Sequence, residues 1–318
     1  MRVHCLKFKK PTDPAYLLPS CLLLSILTSN NTPPNMASSA PASAQEGLAA
    51  FASVISVYEH RVGHACRAVA SHLPPLLKSF PAVGGTVLDN ACGTGAATEE
   101  FLKVYPSAEV SAADVVPPMV QSFKAIIAAD PALAAQVKDL RIENGETLTY
   151  ADNSFDAVLT NFGIFFFPDP VAGAKQIYRT LKPGGTAAVT LWKTFGFKPI
   201  LWEVQERVKP ASPLTELPLM EPWCDPKKLE KVLTDGGFGS VEFSVVKEGI
   251  WGKDKADFVT VLLENFGAMV ARNWTDEEKA KLAPVTSQVV NEMQNNFCIT
   301  DGEKVGCMME AWAAVCTK

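Results

Sequence analysis

An α/β fold built on a doubly wound, mostly parallel sheet of seven strands, with a small helical cap, is predicted for this chain. Three observations predict it. Short apolar runs alternate with helix-period segments from Gly84 to Trp192. The first two runs each lead into an acid, Asp89 and Asp114. A glycine pair, Gly93 and Gly95, sits in the turn after the first run. Such alternation gives a parallel sheet covered on both faces. Right-handed crossovers then bring the strand C-terminal ends to one edge, where ligands bind.

Composition narrows the function. The 318 residues are 47% hydrophobic and 20% charged, which suits one large domain or one domain plus a cap. A formal net charge of −5, without a basic stripe, gives no electrostatic reason to expect nucleic acid. The eight cysteines form no CxxC pair and no Cys/His zinc spacing. They read as free thiols in a reducing compartment, so a cytoplasmic location and no metal are expected.

The elements follow in order. Residues 1–44 read as a tail or a targeting segment: Arg2, Lys7, Lys9 and Lys10 precede an apolar run, Tyr16 to Leu27, then a Ser/Thr/Asn/Pro/Ala stretch. The run contains Pro19 and is short for a membrane span, so no membrane partner is expected. Met36 opens a small, polar start of its own, and a natural chain beginning there is a third reading. Residues 45–82 carry helix-spaced apolar residues, from Leu48 to Tyr58 and from Val62 to Leu73, until Pro74-Pro75 and Pro81 interrupt them.

The core is placed at residues 83–253, with strands at 86–88, 110–113, 140–143, 155–161, 186–192 and 241–246. Helices are expected at 95–104, 117–128, 131–138, 171–181, 200–208 and 226–234, the last capped by Asp225. Two more helices, 254–271 and 275–295, form the cap at residues 254–300. A last core strand, 308–316, lies within residues 301–318.

The chemistry begins at Asp89-Asn90-Ala91-Cys92-Gly93-Thr94-Gly95, where the first strand turns into a helix. Two glycines there allow close backbone approach to a ligand, beside the free N–H groups of a helix start. Asp114 ends the next strand at the spacing of an acid that accepts both hydroxyls of a ribose. A dinucleotide fingerprint wants a third small residue, and here that position is Thr98. Asp89 would repel a pyrophosphate but suit an ammonium group. S-adenosylmethionine (SAM) carries an ammonium and no phosphate, so the charge pattern favours SAM over NAD.

The segment Val87 to Thr98 resembles motif I of the class I SAM-dependent methyltransferases, whose pattern is D-x-G-C/A-G-T-G. Further blocks agree in order. Asp114 to Met119 resembles the acid-to-Met segment after the second strand. Asn144-Gly145-Glu146 with Asp152-Asn153-Ser154-Phe155-Asp156 is similar to the D-A-E…D-N-S-F-D run. Leu181-Lys182-Pro183-Gly184-Gly185 matches the loop before the fifth strand. The nearest subgroup is the ubiquinone/menaquinone-biosynthesis-like enzymes, especially fungal enzymes of secondary metabolism. The implied fold is Rossmann-like.

The resemblance also implies a site. Asp89, Ala91 and the Gly93–Gly95 backbone would hold the amino-acid end of SAM. Asp114 would hold the ribose. Met119, or the nearby Val115, would pack on the adenine. Asn144 stands where the family has Asp for the adenine amino group, and the Gly145 N–H would reach the ring. Asn161 and Phe162 would lie beside the methionyl part. Tyr58, in the segment that resembles the subgroup's lid helix, would cover the cofactor or serve as a core tyrosine. Arg67 would pair with a carboxylate or, as the favoured reading, be solvated; His60 and His64 share a helix face that would meet the substrate or, as favoured, the solvent.

Methyl transfer from a sulfonium needs positioning more than acid–base help. No histidine follows His72, which favours acceptors that need little deprotonation. No residue is therefore assigned a catalytic role. Thr160-Asn161-Phe162-Gly163 lacks the Asn/Asp-Pro-Pro-aromatic signature of exocyclic-amine methylation. A small-molecule acceptor methylated on O, S or N is expected, and a monomer or homodimer. The rival reading is a non-catalytic SAM-fold regulator that binds a protein partner.

Overall fold

The computed structural model describes residues 63–210, 212–217, 220–293 and 297–318. The tail over 1–44, most of the first lid segment, Tyr58 and His60 lie outside the described residues.

The sheet contains β1 (Thr86–Asn90), β2 (Glu109–Asp114), β3 (Val137–Ile142), β4 (Phe155–Asn161), β5 (Leu181–Thr194), β6 (Glu242–Gly252), β7 (Ile299–Asp301) and β8 (Lys304–Thr317). Its order is β3-β2-β1-β4-β5-β8-β6, with the short β7 paired to β8. Pairs β1–β2, β1–β4, β2–β3 and β4–β5 are parallel, whereas β8 runs antiparallel to β5, β6 and β7. The seven-stranded, mostly parallel sheet is therefore present, with β7 added as a hairpin arm around the left-handed Gly302.

From β1 the chain steps outward to β2 and β3, then crosses back to β4 and β5 on the other side. This reversal opens a crevice beyond the C-terminal ends of β1 and β4, the place where such sheets bind ligands. Burial fits the topology. In β1 every residue after Thr86 is buried, as a strand covered on both faces requires.

Helices α1 (His64–Ala70), α2 (Ala96–Val104), α3 (Pro117–Ala129), α4 (Pro131–Gln136), α5 (Pro170–Thr180), α6 (Lys198–Val208) and α7 (Pro226–Asp235) flank the sheet. Their starts follow from local chemistry. The side chains of Asp130, Asp169 and Asp225 accept backbone N–H bonds at the starts of α4, α5 and α7, each with proline in the first turn. Three expectations need correction. The helix expected over 131–138 stops at Gln136, because Val137 pairs with Val110 and β3 begins three residues early. Sheet pairing there overrides the helix propensity of an alanine-rich stretch. The final strand is longer than expected, Lys304 to Thr317, because β6 pairs along it as far as Val305.

The third correction concerns the cap between β6 and β7. Its first helix, expected over 254–271, is α8 (Lys255–Leu262), a π-turn (Leu263–Gly267) and α9 (Ala268–Val270). The second is α10 (Asp276–Glu292), which starts in a capping box between Thr275 and Glu278. Phe258, Leu262, Phe266 and Met269 are buried, and Phe266 stacks on Phe197 with ring centroids 3.8 Å apart. The cap thus packs onto the β5–α6 connection.

Phe101 on α2 meets Phe80 edge-on at 4.9 Å and Tyr105 at 5.0 Å, and is 1% exposed. Phe101→Ala is expected to destabilise the protein by about 3–5 kcal/mol, read as a lower urea midpoint at unchanged slope.

Candidate functional site

Asp89, the penultimate residue of β1, is 1% exposed. Its Oδ2 accepts bonds from the Thr98 backbone N–H at 3.1 Å and the Thr98 hydroxyl at 2.7 Å. Its Oδ1 has no hydrogen-bond partner among the described residues. Burial raises the carboxyl from 3.8 to about 6, despite the opposing Thr98 bonds. Thr98, which looked like a missing small residue, is thus the group that aims Asp89.

Asp114, at the end of β2, grips the loop from the other side. The Gly93 N–H donates to its Oδ2 at 2.8 Å, and the Val116 N–H to its Oδ1 at 2.8 Å. Each oxygen keeps a further lone pair for a ligand hydroxyl. Burial raises its pKa, although both backbone bonds oppose the rise. Gly93 is left-handed at φ +54°, with open space where a side chain would project. Gly95, at φ +90°, lies against the Phe123 ring; a Cβ there would come within 2.1 Å of it. Gly95 precedes α2, so the helix N-terminus opens onto the loop.

Two non-glycine residues at this edge are also left-handed: Ala91 at φ 63° and Phe162 at φ 55°. For a bulky residue this conformation is strained and must be held by its surroundings. Thr190 on β5 holds Phe162. Its hydroxyl accepts the Phe162 N–H at 2.9 Å and donates to Asn161 Oδ1 at 2.7 Å. Asn161 Nδ2 in turn donates to the Cys66 carbonyl on α1 at 3.2 Å. Asn161 therefore fastens α1 to the sheet edge, a role its position alone did not reveal. The Phe162 ring stacks on Trp192 at 4.3 Å.

The loop after β3 is bound into its surroundings. Asn144 Oδ1 accepts the Glu146 N–H at 2.9 Å, and Asn144 Nδ2 donates to Glu146 Oε2 at 3.1 Å. Glu146 Oε1 also accepts the Asp169 N–H. An amide at 144 can donate to that carboxylate where an aspartate would repel it. Gly145 lies against Asn90 and Phe167. Of the two expected adenine neighbours, Met119 is 3% exposed and Val115 is 45% exposed, so Val115 carries the accessible surface.

Of the two readings of Arg67, the structure bears out pairing with a carboxylate, not the favoured solvated one. Arg67 pairs with Glu99 at 3.1 Å and Glu100 at 3.5 Å, joining α1 to α2 just past the glycine loop. His64 does not lie on a fully solvated face either: it is half-buried.

The residues fit SAM. The unpartnered Asp89 oxygen suits an ammonium, the Gly93 cradle leaves room for a ligand, and Asp114 retains acceptor capacity for ribose hydroxyls. Among the described residues no His/Cys/Asp/Glu group could hold a metal ion, and no helix is long and apolar enough to cross a membrane.

The Asp89 pKa gives a testable sign. Its folded value lies above the ordinary carboxyl value, so its contribution to ligand-free stability is full below about 3.8 and is lost as pH rises through about 6. A ligand ammonium needs the ionised form. SAM affinity should therefore weaken several-fold between pH 7.5 and pH 5, and calorimetric titrations at the two values check it. Gly95→Val should strain the left-handed turn and push on Phe123, abolishing SAM binding while lowering the melting temperature.

Comparison with known proteins agrees with this geometry. Residues 88–189 match the family described as methyltransferase domain. An uncharacterised protein of Mycobacterium tuberculosis is 34% identical over 131 residues, 41% of this chain and 46% of that protein. This chain thus spans less than half the length of that relative. The ubiquinone/menaquinone biosynthesis C-methyltransferase UbiE of Hydrogenovibrio crunogenus is 32% identical over 183 residues, covering 52% of this chain and 70% of UbiE. The methyltransferase tpcH of Aspergillus fumigatus is 23% identical over 240 residues, 71% of this chain and 80% of tpcH. With the glycine loop held between two buried carboxylates at the sheet's switch point, the chain belongs to the class I SAM-dependent methyltransferases.

Proposed function

We propose that this protein transfers the methyl group of SAM to the O, S or N atom of a small-molecule acceptor, a secondary metabolite. The observation that carries this reading is the pairing of Asp89 and Asp114 around the Gly93–Gly95 turn. When bound, SAM supplies an electrophilic methyl group on a sulfonium. The protein's own contribution is then binding, orientation and exclusion of water.

Each part has residues suited to it. Asp89 Oδ1 would take the ammonium, and Asp114 the ribose hydroxyls. The Asn144–Glu146 loop would carry the adenine end. Beyond β4 and β5 the stacked Phe162 and Trp192 make an apolar wall, and the Phe197–Phe266 stack ties the cap beside it. An apolar enclosure of this kind favours a small organic acceptor and keeps water from the methyl group. The name of the similar UbiE protein, a C-methyltransferase of quinone biosynthesis, also supports a small-molecule acceptor. No histidine follows His72, so acceptors that already hold a lone pair or a weakly bound proton suit the site best.

Two measurements test the reading. Asp114→Ala should weaken SAM binding by about 10- to 100-fold, as the loss of one or two charge-assisted hydrogen bonds implies; calorimetry reads it. Wild-type protein incubated with methyl-labelled SAM and small-molecule extracts should place label in a low-mass product. SAM binding with no labelled product from any extract would favour the regulator instead.

A further inference from the structure

Asn90 closes β1, on the strand face opposite Asp89. It is 0% exposed, and among the described residues neither its Oδ1 nor its Nδ2 has a hydrogen-bond partner. A buried amide with both ends unmet is rare in native proteins and destabilising unless something repays it. Its surroundings explain how it fits. A Cβ on Gly145 would lie 2.6 Å from Asn90 Oδ1 and 3.0 Å from Nδ2. The missing side chain at 145 is therefore what leaves room for the amide. Gly145 belongs to the loop that also holds Asn144 and Glu146. Asn90 itself precedes the left-handed Ala91 and the glycine turn. A polar group without a partner thus stands where the glycine turn meets the loop after β3.

We propose that Asn90 is a positioning residue for SAM: its amide is kept unpaired in the ligand-free protein and becomes hydrogen-bonded to the Gly145 loop when the cofactor binds. The inference rests on the SAM-binding reading above. In the ligand-free state the unmet amide weakens the junction. In the bound state its hydrogen bond adds to cofactor affinity. Stability and affinity therefore depend on Asn90 with opposite sign, which a packing role alone would not produce.

The full chain carrying Asn90→Leu, of similar shape and without polar atoms, tests this with S-adenosylhomocysteine as the probe. The expected result is a ligand-free melting temperature equal to or above wild type, with a Kd weakened at least about tenfold. A Kd within twofold of wild type overturns the proposal, whatever the melting temperature. Should Asn90→Leu not fold, Asn90→Val is read the same way. Wild-type protein with asparagine-selective 15N labelling gives an independent readout. The Asn90 side-chain NH2 should shift and gain exchange protection on adding S-adenosylhomocysteine, and an unmoved resonance in ligand-saturated protein overturns the proposal. Absence of any binding by wild-type protein is a separate outcome: it overturns the SAM reading and this inference with it.

Discussion

The carboxylate of Asp114 is the constraint on which the rest of the site depends. It takes one backbone N–H from the glycine turn and another from the start of the connection to α3. Two strand ends are thereby locked together at the point where the sheet reverses direction. Asp89 does the same within β1 and α2, through Thr98. Burial opposes the ionised state of both carboxylates, and the charge of Asp114 adds a smaller opposition at Asp89. A cationic, hydroxyl-bearing ligand relieves that opposition, and SAM has both features. The site's electrostatic tension and its cofactor preference are one property.

The second level of organisation is the polar chain that runs from Cys66 through Asn161 and Thr190 to Phe162. It connects α1, two strand ends and the Phe162–Trp192 stack. Arg67, paired with Glu99 and Glu100, and His72, paired with Glu248 at 2.7 Å, anchor the same helical segment to α2 and β6. Helix α1 and the Phe162–Trp192 stack are therefore fixed to one another through β5.

Much of this was legible in the sequence because the chemistry is local. Gly93, Gly95 and the acids at 89 and 114 announce their shared place at one sheet edge through spacing along one strand–turn–helix unit and the strand after it. The alternation of elements likewise disclosed a parallel sheet. What stayed hidden depends on distance through space. Thr98 looked like a defect in a glycine pattern until its hydroxyl was seen on Asp89. Asn161 marked a strand end, but its partner Cys66 lies 95 residues away. Arg67 had no visible partner in sequence, since the acids it meets belong to another helix. Asn90, inside the glycine-loop motif, carried no expectation of its own. Only the absent Cβ of Gly145 shows that the two positions fit each other. The early start of β3 was misread because alanine propensity is weak beside a neighbouring strand's pairing.

Calorimetric titration of the wild-type protein at pH 7.5 with SAM and, separately, with NAD tests the central claim most directly, because the two cofactors differ in the charge they bring to Asp89. The account predicts one-site binding heat with SAM and none with NAD. Heat with NAD and none with SAM would contradict it.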